Sequence, residues 1–370
     1  MSNKKIIYLT YQTFPANTAN SLQTISNIKY LLKNNIEVEL YFPLREKQSS
    51  SNLQLLQEKY HFDENFKIYG LSHNYLHGKL MFFKSFWYNF SHYYWSKSTV
   101  KKFFNHNTTD LFFTRSDWIA YFLAMQGSKV TFEVHQVSKV RNFVINRIRK
   151  LSNVKLIFLN KELCSFYSQP KQSLVLHNGV DSTLFSKINN TKIKNQIIYL
   201  GKLSRFNKPR GINQIINWFS DSEINTKFTL KIVGGSKKEV AELNEIIKNL
   251  NLTDVISVYS WVNRQEVVNH LEKSSYGLLI NSSLNDHSKL YTSPLKYFEY
   301  LYCKLKVIAV DFPSHRALPF SNNISYFKEG EKTSFINALN ALEDKEVLND
   351  IELQDITLDN RAKKIIEFIC

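Results

Sequence analysis

The chain has 370 residues, 43% of them hydrophobic, which is more than one core normally supports and enough for two domains. Its 10 glycines and 7 prolines, with no visible repeat, exclude a collagenous, disordered or solenoid protein. The net charge is +16, and residues 1–185 carry +12 of it (23 Lys and Arg against 11 Asp and Glu), so we expect the N-terminal half to meet an anionic partner.

The cellular compartment is indicated by the cysteines and the N-terminus. The three cysteines show neither a pairing pattern nor metal-ligand spacing, which is typical of a reducing compartment. The apolar run that begins at Ile6 is interrupted at Gln12 and Pro15, too early for a signal peptide. No stretch approaches the roughly 20 apolar residues of a membrane-spanning helix. We therefore expect a cytoplasmic protein.

The first half of the chain alternates short apolar runs with amphipathic helical patterns. This alternation is typical of α/β units built on a parallel sheet. Because the runs are largely apolar, we expect the strands to be buried on both faces. The six predicted strands are Lys5–Thr10, Glu37–Phe42, Asp110–Thr114, Lys129–Val134, Lys155–Leu159 and Ser173–Leu176.

Two segments of this half combine basic and aromatic side chains. Residues 65–109 contain six Lys and no Asp or Glu, and residues 139–151 place Arg and Lys among apolar residues. Basic amphipathic helices with aromatic side chains bind anionic bilayers. We predict a peripheral membrane contact through residues 75–104 and 139–151, and the alternative is that the aromatic faces belong to the core. The predicted apolar face comprises Leu80, Phe83, Trp87, Phe90 and Tyr94.

A polar stretch from Ser186 to Asn195 is predicted to be a linker, and a second α/β series follows it. We therefore expect two doubly wound sheets in tandem, with ligands bound outside the carboxyl ends of the strands. The predicted strands of the second series are Gln196–Leu200, Phe228–Val233, Val255–Tyr259, Tyr276–Ile280 and Lys306–Val310.

The loop from Gly201 to Gly211 follows the first strand of the second series and is strongly basic. Clustered Lys and Arg donate charge-assisted hydrogen bonds to phosphate oxygens, and the N-terminus of a helix attracts anions. The loop therefore predicts a diphosphate site, with a solvated basic loop as the alternative. Its cations are Lys202, Arg205, Lys208 and Arg210.

The segment Thr292–Leu301 predicts a helix whose N-terminus faces a ligand. Ser293 is a good N-cap, and Pro294 is suited to the first helical position, which leaves the amides of Leu295 and Lys296 available. Glu299, one turn further on, is an isolated carboxylate among apolar residues. If it is buried it needs a hydrogen-bond partner, which either a ribose hydroxyl or a protein group would supply.

These segments, in this order and preceded by His177–Asp181, resemble the family-four retaining glycosyltransferases of the GT-B fold, and the resemblance covers nearly the whole chain. It implies an α/β protein with two tandem Rossmann-like doubly wound domains that face a cleft. Residues 1–188 would form the acceptor-side domain, and residues 189–354 would bind the nucleotide sugar. A final helix, at about 355–370, would pack back on the first domain.

The resemblance also implies an activity and roles for single residues. The activity is retaining transfer of a sugar from a nucleotide-diphosphate sugar to a glycan, glycolipid, surface-polysaccharide or other lipid-linked acceptor, as in cell-envelope glycan synthesis. Lys202 and Arg210 match the pair that grips the diphosphate, with Lys208 as a rival to Arg210. Glu299 matches a ribose-binding glutamate, and His135 a histidine near the transferred sugar, although a lone His is also often structural.

The remaining expected contacts are divided between donor and acceptor. Tyr291 stands where the family often has a glutamate that touches the sugar, which puts sugar recognition in doubt. The expected donor-side residues are Gly201, Arg205, Lys208, Gly234, Trp261, Val262, Ser293, Pro294, Leu295, Lys296 and Glu299. On the acceptor or sugar side we expect Asn17, Asn20, Ser21 and Tyr291.

No Asp-x-Asp pair follows a strand, so neither a metal nor another cofactor is expected. Two alternative functions differ in class. A basic protein rich in aromatics also suits single-stranded nucleic acid, but no known nucleic-acid module is present, and we expect no nucleic acid as partner. An NAD-dependent sugar-nucleotide enzyme would need a Gly-x-Gly-x-x-Gly after the first strand, where the chain reads Thr10–Phe14.

Overall fold

The computed structural model describes residues 5–75, 84–107, 109–185, 191–205 and 208–370. The chain forms two compact units, Met1–Leu176 with Leu358–Cys370, and His177–Thr357. The sequence placed the boundary at residue 188, whereas the units divide after Leu176. The division is earlier because Val180 and Phe185 pack in the core of the second unit. Of the predicted linker, residues 186–190 lie outside the described residues.

The first unit contains a seven-stranded sheet in the order β3-β2-β1-β4-β5-β6-β7, and every pair of neighbours is parallel. The strand order therefore reverses between β1 and β4, which is where a doubly wound sheet binds ligands. The strands are β1 Lys5–Leu9, β2 Glu37–Leu44, β3 Lys67–Ser72, β4 Leu111–Thr114, β5 Lys129–Val134, β6 Val154–Phe158 and β7 Ser173–Val175.

Helices cover both faces of this sheet through connections typical of α/β units. The C-terminal helix, Leu358–Ile369, belongs to the first unit, where Ala362, Ile365 and Ile369 join the apolar cluster under β1 and β2. The other helices of the unit are α1 Ala19–Lys33, α2 Leu53–Tyr60, α3 Lys84–Phe103, α4 Asp117–Met125, α5 Lys139–Ile148 and α6 Lys161–Phe166.

The second unit contains a six-stranded parallel sheet in the order β12-β11-β8-β13-β14-β15, which is the Rossmann order 3-2-1-4-5-6. A separate antiparallel hairpin, β9 with β10, follows β8. The strands are β8 Gln196–Leu200, β9 Ser204–Arg205, β10 Lys208–Pro209, β11 Thr229–Val233, β12 Ile256–Tyr259, β13 Tyr276–Leu279, β14 Lys306–Val310 and β15 Ile324–Phe327.

Two apolar layers enclose this second sheet, one on each face. The switch of strand order lies between β8 and β13, and the loops that leave these strands, together with the helix that follows the second loop, carry most of the predicted donor residues. The helices are α7 Ile212–Trp218, α8 Ser222–Asn225, α9 Lys237–Asn249, α10 Arg264–Lys273, α11 Leu295–Tyr302, α12 Pro313–Arg316, α13 Lys332–Asn340 and α14 Asp350–Asp355. Shorter turns are the 3-10 helices Ser182–Phe185 and Ser321–Asn323 and a π-helical turn, His287–Tyr291.

The two doubly wound sheets predicted from the sequence are confirmed, and each contains one strand that was not predicted. β3 and β15 both lie at an edge of their sheet. In β3 no residue is fully buried, and in β15 the polar Ser325 interrupts the apolar run, so neither presents the continuous apolar run that marks a central strand.

Candidate functional site

The switch point of the second sheet is held open by Tyr300. β8 and β13 pair at two positions only, the second of which is Gly277. Beyond it, the Tyr300 hydroxyl accepts from the amide of Leu200 (3.0 Å) and donates to the carbonyl of Leu278 (3.3 Å). A Cβ at Gly277 would lie 2.4 Å from the Tyr300 ring, so only glycine admits this packing. A buried ring thus separates the carboxyl ends of the two central strands.

Glycines line the adjoining edge of the sheet. The amide of Gly201 donates to the carbonyl of Val233 (2.9 Å), and both Gly201 and Gly234 adopt positive φ, 125° and 132°. A Cβ on Gly234 would lie 2.2 Å from the Gly201 oxygen. The next residue, Gly235, accepts from the amide of Trp261 (3.2 Å). The three loops that the sequence predicted to bind the donor therefore meet here, and hydrogen bonds between their backbone groups hold them together.

Two buried cations lie beside this edge. The Nζ of Lys296 lies 4.2 Å from the centre of the Tyr199 ring, and it is buried without a hydrogen-bond acceptor in the described part of the chain. The Nε of Arg210 is likewise buried without an acceptor there. Burial first, and the nearby charge of Arg210 second, lower the pKa of Lys296 well below its ordinary value. Paired buried cations of this kind are costly unless an anion compensates them.

The basic loop reaches Arg210 through a hairpin. The hairpin consists of β9 and β10. After it, the amide of Arg210 donates to the carbonyl of Leu203 (3.1 Å). The side chain of Lys202 is exposed, and its carbonyl accepts from the Tyr199 hydroxyl (2.5 Å). The side chains of Arg205 and Lys208 lie outside the described residues. Arg210 therefore lies near Lys296 at this site. That Lys208 grips the diphosphate in place of Arg210 stays an alternative prediction.

The start of α11 differs from the predicted capping. Pro294 occupies the cap position, Leu295 is the first helical residue, and no side chain caps the helix. Ser293 is used elsewhere, because its hydroxyl accepts from the amide of Asn178 (3.1 Å) and its carbonyl from the Asn178 amide nitrogen Nδ2 (2.6 Å). The predicted N-cap is therefore wrong. The amides of Leu295 and Lys296 still belong to the first turn, which has no intrahelical acceptors.

Glu299 forms an ion pair that the sequence did not indicate. Its side chain is buried, and its Oε1 lies 2.5 Å from the Nη2 of Arg264. Although burial lowers the pKa of Arg264, the Glu299 carboxylate outweighs it and raises that pKa. Arg264 begins α10, shortly after the predicted donor-side residues Trp261, which is 53% exposed, and Val262, which is half-buried. No local pattern relates two residues 35 positions apart.

Tyr291 ends the π-helical turn and is half-buried. This turn is held from α12, because the Ser314 hydroxyl donates to the carbonyl of Ser288 (3.1 Å). The next residue of α12, His315, is fully buried with its Nδ1 2.7 Å from the carbonyl of Val310. Burial lowers the pKa of His315 to about 4, so the ring is neutral and Nδ1 donates. The π-helical turn that ends at Tyr291 is therefore held by α12, whose buried His315 is neutral.

In the first unit, His135 follows β5 and contacts protein groups through both ring nitrogens. Its Nε2 lies 2.9 Å from Glu133 Oε1, and its Nδ1 lies 2.7 Å from the Nη2 of Arg115. Burial, reinforced by Arg115, lowers the pKa of His135 to about 3. The ring is therefore neutral, and its Nε2, which lies beside Glu133, accepts from the Nε of Arg115 at 2.9 Å. This arrangement suits a fixed polar side chain and not a general base.

Glu133 and two arginines form a buried network around this histidine. Arg361 of the C-terminal helix contacts Glu133 Oε1 at 2.5 Å and Asn27 Oδ1 at 3.1 Å. Burial would raise the pKa of Glu133, but Arg361, His135 and Arg115 hold it well below its usual range. Of this network, only His135 was predicted from the sequence. The signal for Glu133 was present, since this charged residue stands between Phe132 and Val134 in a predicted strand.

The expected acceptor residues of the first loop have different surroundings. Thr18 caps α1, accepting from the amide of Ser21 (3.1 Å), and Ser21 is buried. Asn17 and Asn20 are exposed, and the Asn20 carbonyl accepts from Arg115 Nη1 (3.4 Å). Ser21 therefore serves the helix, whereas the two asparagine side chains are accessible.

The described residues show neither a metal-binding cluster nor a membrane-spanning helix. They contain no group of three or more His, Cys, Asp or Glu placed to hold a metal ion. None of their helices combines the length and apolarity needed to cross a membrane.

Known proteins resemble the chain in fold and, over the second unit, in sequence. Residues 181–357 match the family described as Glycosyl transferases group 1. No curated protein matches the chain. Among similar solved structures, sucrose-phosphate synthase from Thermosynechococcus elongatus has a TM-score of 0.63 at 13% identity, over 99% of this chain and 95% of the other.

Two further structures cover 99% of both chains. Anabaena HepE, in complex with UDP and glucose, has a TM-score of 0.62 at 13% identity. A TarM variant of S. aureus, in complex with Fondaparinux, alpha-GlcNAc-glycerol and UDP, has a TM-score of 0.66 at 9% identity. Identities this low establish the fold alone, and the family match adds the activity. The second unit is a Glycosyl transferases group 1 domain, and the chain is a glycosyltransferase of the GT-B fold.

Proposed function

We propose that the protein transfers a sugar, with retention of anomeric configuration, from a nucleotide-diphosphate sugar to a lipid-linked, glycolipid or surface-polysaccharide acceptor in cell-envelope glycan synthesis. The donor half of this proposal is carried by one observation. Lys296 and Arg210 present buried N–H groups that lack an acceptor among the described residues, at the switch point of the sheet. A diphosphate supplies acceptors of the required charge. HepE and TarM were each solved with UDP, which supports the same assignment.

The proposed mechanism rests on stabilising the leaving group. Negative charge develops on the terminal phosphate as the bond to the sugar breaks, so fixed cations aimed at it lower the barrier. Arg210 and Lys296 would act from their buried positions, Lys202 from the exposed loop, and the amides of Leu295 and Lys296 from the first turn of α11. Retention follows from attack by the acceptor on the face that the diphosphate leaves, and this step uses no protein nucleophile. No metal is part of the proposal.

The acceptor half is supported by the orientation of α3. This helix buries Trp95 together with the polar Ser91, His92 and Ser96, and it leaves Phe86 and Phe90 exposed, 59% and 38%. Both Phe90 and Tyr94 of the predicted apolar face are exposed, as the membrane interpretation requires, whereas Leu80 and Phe83 lie outside the described residues. Trp87 is half-buried. The core alternative therefore does not account for the aromatic side of this helix.

The exposed rings continue from α3 across α4 to α5. Tyr93 contacts the Trp118 ring, which contacts Phe143 with ring centres 6.1 Å apart. Phe143 is 44% exposed, and Arg147 lies 5.2 Å from its ring centre. We name Phe86, Phe90, Tyr94 and Phe143 the aromatic face. Exposed Lys and Arg flank it, so charge and apolar area together suit an anionic bilayer, where a lipid-linked acceptor would be held.

The donor assignment is tested by measuring Tm with UDP-, GDP- and ADP-sugars, followed by product analysis. A donor bound at 100 times its Kd adds about 2.7 kcal/mol of stability, so one nucleotide class should raise Tm clearly. With that donor, the anomeric proton coupling of the product reports the configuration. An inverted product would refute retention, and no protection by any of the three would refute the donor site.

The membrane assignment is tested by sedimentation with phosphatidylcholine vesicles, with and without phosphatidylglycerol. We expect binding that needs the anionic lipid, weakens with salt, and is reduced by the double variant Phe86→Ser/Phe90→Ser. Phe166→Ser is the matched control, because Phe166 is equally exposed on α6 and outside the aromatic face. If the folded double variant sediments like wild type, the aromatic face is not the contact and a soluble acceptor is favoured.

A further inference from the structure

The Arg264–Glu299 ion pair connects the first residue of α10 to α11 in the second unit. Glu299 lies on α11 among fully buried apolar side chains, including Phe298 and Leu301. Arg264 reaches it from the start of α10, with its guanidinium 5.9 Å from the ring centre of Phe185. The Arg264 side chain remains 30% exposed, whereas that of Glu299 is 7% exposed. The arginine thus joins a buried carboxylate to the accessible edge of the sheet.

The position of Arg264 is not explained by helix stability. The first turn of a helix carries partial positive charge and favours acidic side chains, so a cation there is unfavourable. α10 is already capped by Asn263 and Glu266, which bond each other's backbone amides. Arg264 is therefore not needed to begin the helix. Its ion pair with Glu299 is the contact that accounts for an arginine at this position.

We propose that Arg264 is a positioning residue, which holds the Glu299 carboxylate toward the donor ribose and thereby makes the enzyme select a ribose hydroxyl. The inference rests on the proposed function and extends it. A carboxylate has two oxygens, and Arg264 occupies Oε1 of Glu299, which leaves Oε2 for a hydroxyl donor. The pairing also compensates the buried charge, so the carboxylate can stay in one orientation without substrate.

The test is a calorimetric comparison of three ligands. We use the diphosphate among UDP, GDP and ADP that raises Tm, together with its 2′-deoxy and 3′-deoxy analogues. Wild type should bind the complete nucleotide at least tenfold more tightly than one of the analogues. In Arg264→Met and in Glu299→Gln this ratio should fall to within about twofold, while the affinity for that analogue stays within about threefold of wild type. A merely structural role would weaken all three ligands alike.

Two more variants distinguish a loss of selectivity from an effect on folding. Arg264→Met leaves a buried carboxylate without its partner, whereas Arg264→Met/Glu299→Gln leaves no buried charge and should show the same lost selectivity as either single variant. Arg264→Lys should restore part of the ratio. The matched control is Arg316→Met, which removes an exposed ion pair with Asp311 in the same unit and should leave the ratio unchanged.

The outcomes separate this inference from the proposed function. A wild-type enzyme that binds a nucleotide without hydroxyl selectivity would overturn the role of the pair while leaving the donor site intact. The same holds if the folded double variant keeps the wild-type ratio, or if Arg264→Met weakens the nucleotide and both analogues equally. If none of the three diphosphates binds, the proposed function fails, and this inference fails with it.

Discussion

Replacing Lys296 by Met should stabilise the ligand-free protein and weaken nucleotide binding. The Lys296 Nζ is buried against Tyr199 without a hydrogen-bond acceptor in the described residues. An unsatisfied buried donor costs about 1–3 kcal/mol, and Met removes it while filling similar space. We expect the free energy of unfolding to rise by about that amount. A hydrogen bond to a charged group contributes about 1.5–3 kcal/mol, so Kd for the nucleotide should rise about 10- to 150-fold.

The same residue should couple binding to proton uptake. Burial, followed by the charge of Arg210, lowers the pKa of Lys296 well below its ordinary 10.5. Between the folded and the unfolded pKa, the unfolded chain holds one proton more than the ligand-free folded chain. Stability of the ligand-free protein therefore rises with pH through that window, by about 1.4 kcal/mol per pH unit. A bound diphosphate favours the charged amine, so binding within that window should be accompanied by proton uptake.

Calorimetry in two buffers of different ionisation enthalpy measures this uptake. At pH 8 the nucleotide phosphates, with a pKa near 6, are already ionised and contribute little. Lys296→Met should abolish the uptake, whereas Lys202→Met should keep it, because Lys202 is exposed. The reasoning is refuted if the folded Lys296→Met variant retains both the uptake and the wild-type Kd.

Four other substitutions test the basic loop, the Glu133 network and the packing of Tyr300. Lys202→Ala and Arg210→Ala should each cost about 2–4 kcal/mol of transition-state stabilisation with little change in Tm, and wild-type turnover in both would contradict their role. Glu133→Gln should lower the free energy of unfolding in urea by about 3–5 kcal/mol, because it leaves buried arginines uncompensated; an unchanged urea midpoint would argue against the network. Gly277→Ala, whose Cβ would lie 2.4 Å from the Tyr300 ring, should lose about 1–3 kcal/mol and nucleotide affinity together, and unaltered affinity would show that the opening does not depend on this packing.

The sheets and the donor loops were accessible from the sequence for physical reasons. Central strands need apolar side chains on both faces, which is a local pattern, and the glycines and cations after β8 and β11 also stand together in the chain. The Arg264–Glu299 pair has no such pattern, because its members meet only through the packing of α10 and α11. The capping at Ser293 failed for a related reason, since its hydroxyl bonds a residue 115 positions away.

Periodicity also left the orientation of α3 undetermined. A stripe of aromatics at helical spacing shows that one side of a helix is apolar, but it does not say which side packs inward. The inward side carries Trp95 and Val100 together with polar residues, and the loop after β1 supplies partners for the polar ones: Tyr11 stacks on His92 with ring centres 4.3 Å apart, and its hydroxyl lies 2.8 Å from Ser91 Oγ. Those contacts satisfy the polar side within the protein and leave the aromatic side outward.

The two clusters of buried cations differ in whether a protein carboxylate compensates their positive charge. In the first unit, the carboxylate of Glu133 lies between Arg361 and Arg115, so the charges of this cluster compensate each other within the protein, although Glu133 Oε2 accepts no hydrogen bond from the described residues. In the second unit, Lys296 and Arg210 have buried N–H groups without acceptors in the described residues. Such a pair is unfavourable in the ligand-free protein, and it is typical of a site where a bound anion compensates the positive charge. We therefore expect the diphosphate to bind in the second unit and the network around His135 to stabilise the first.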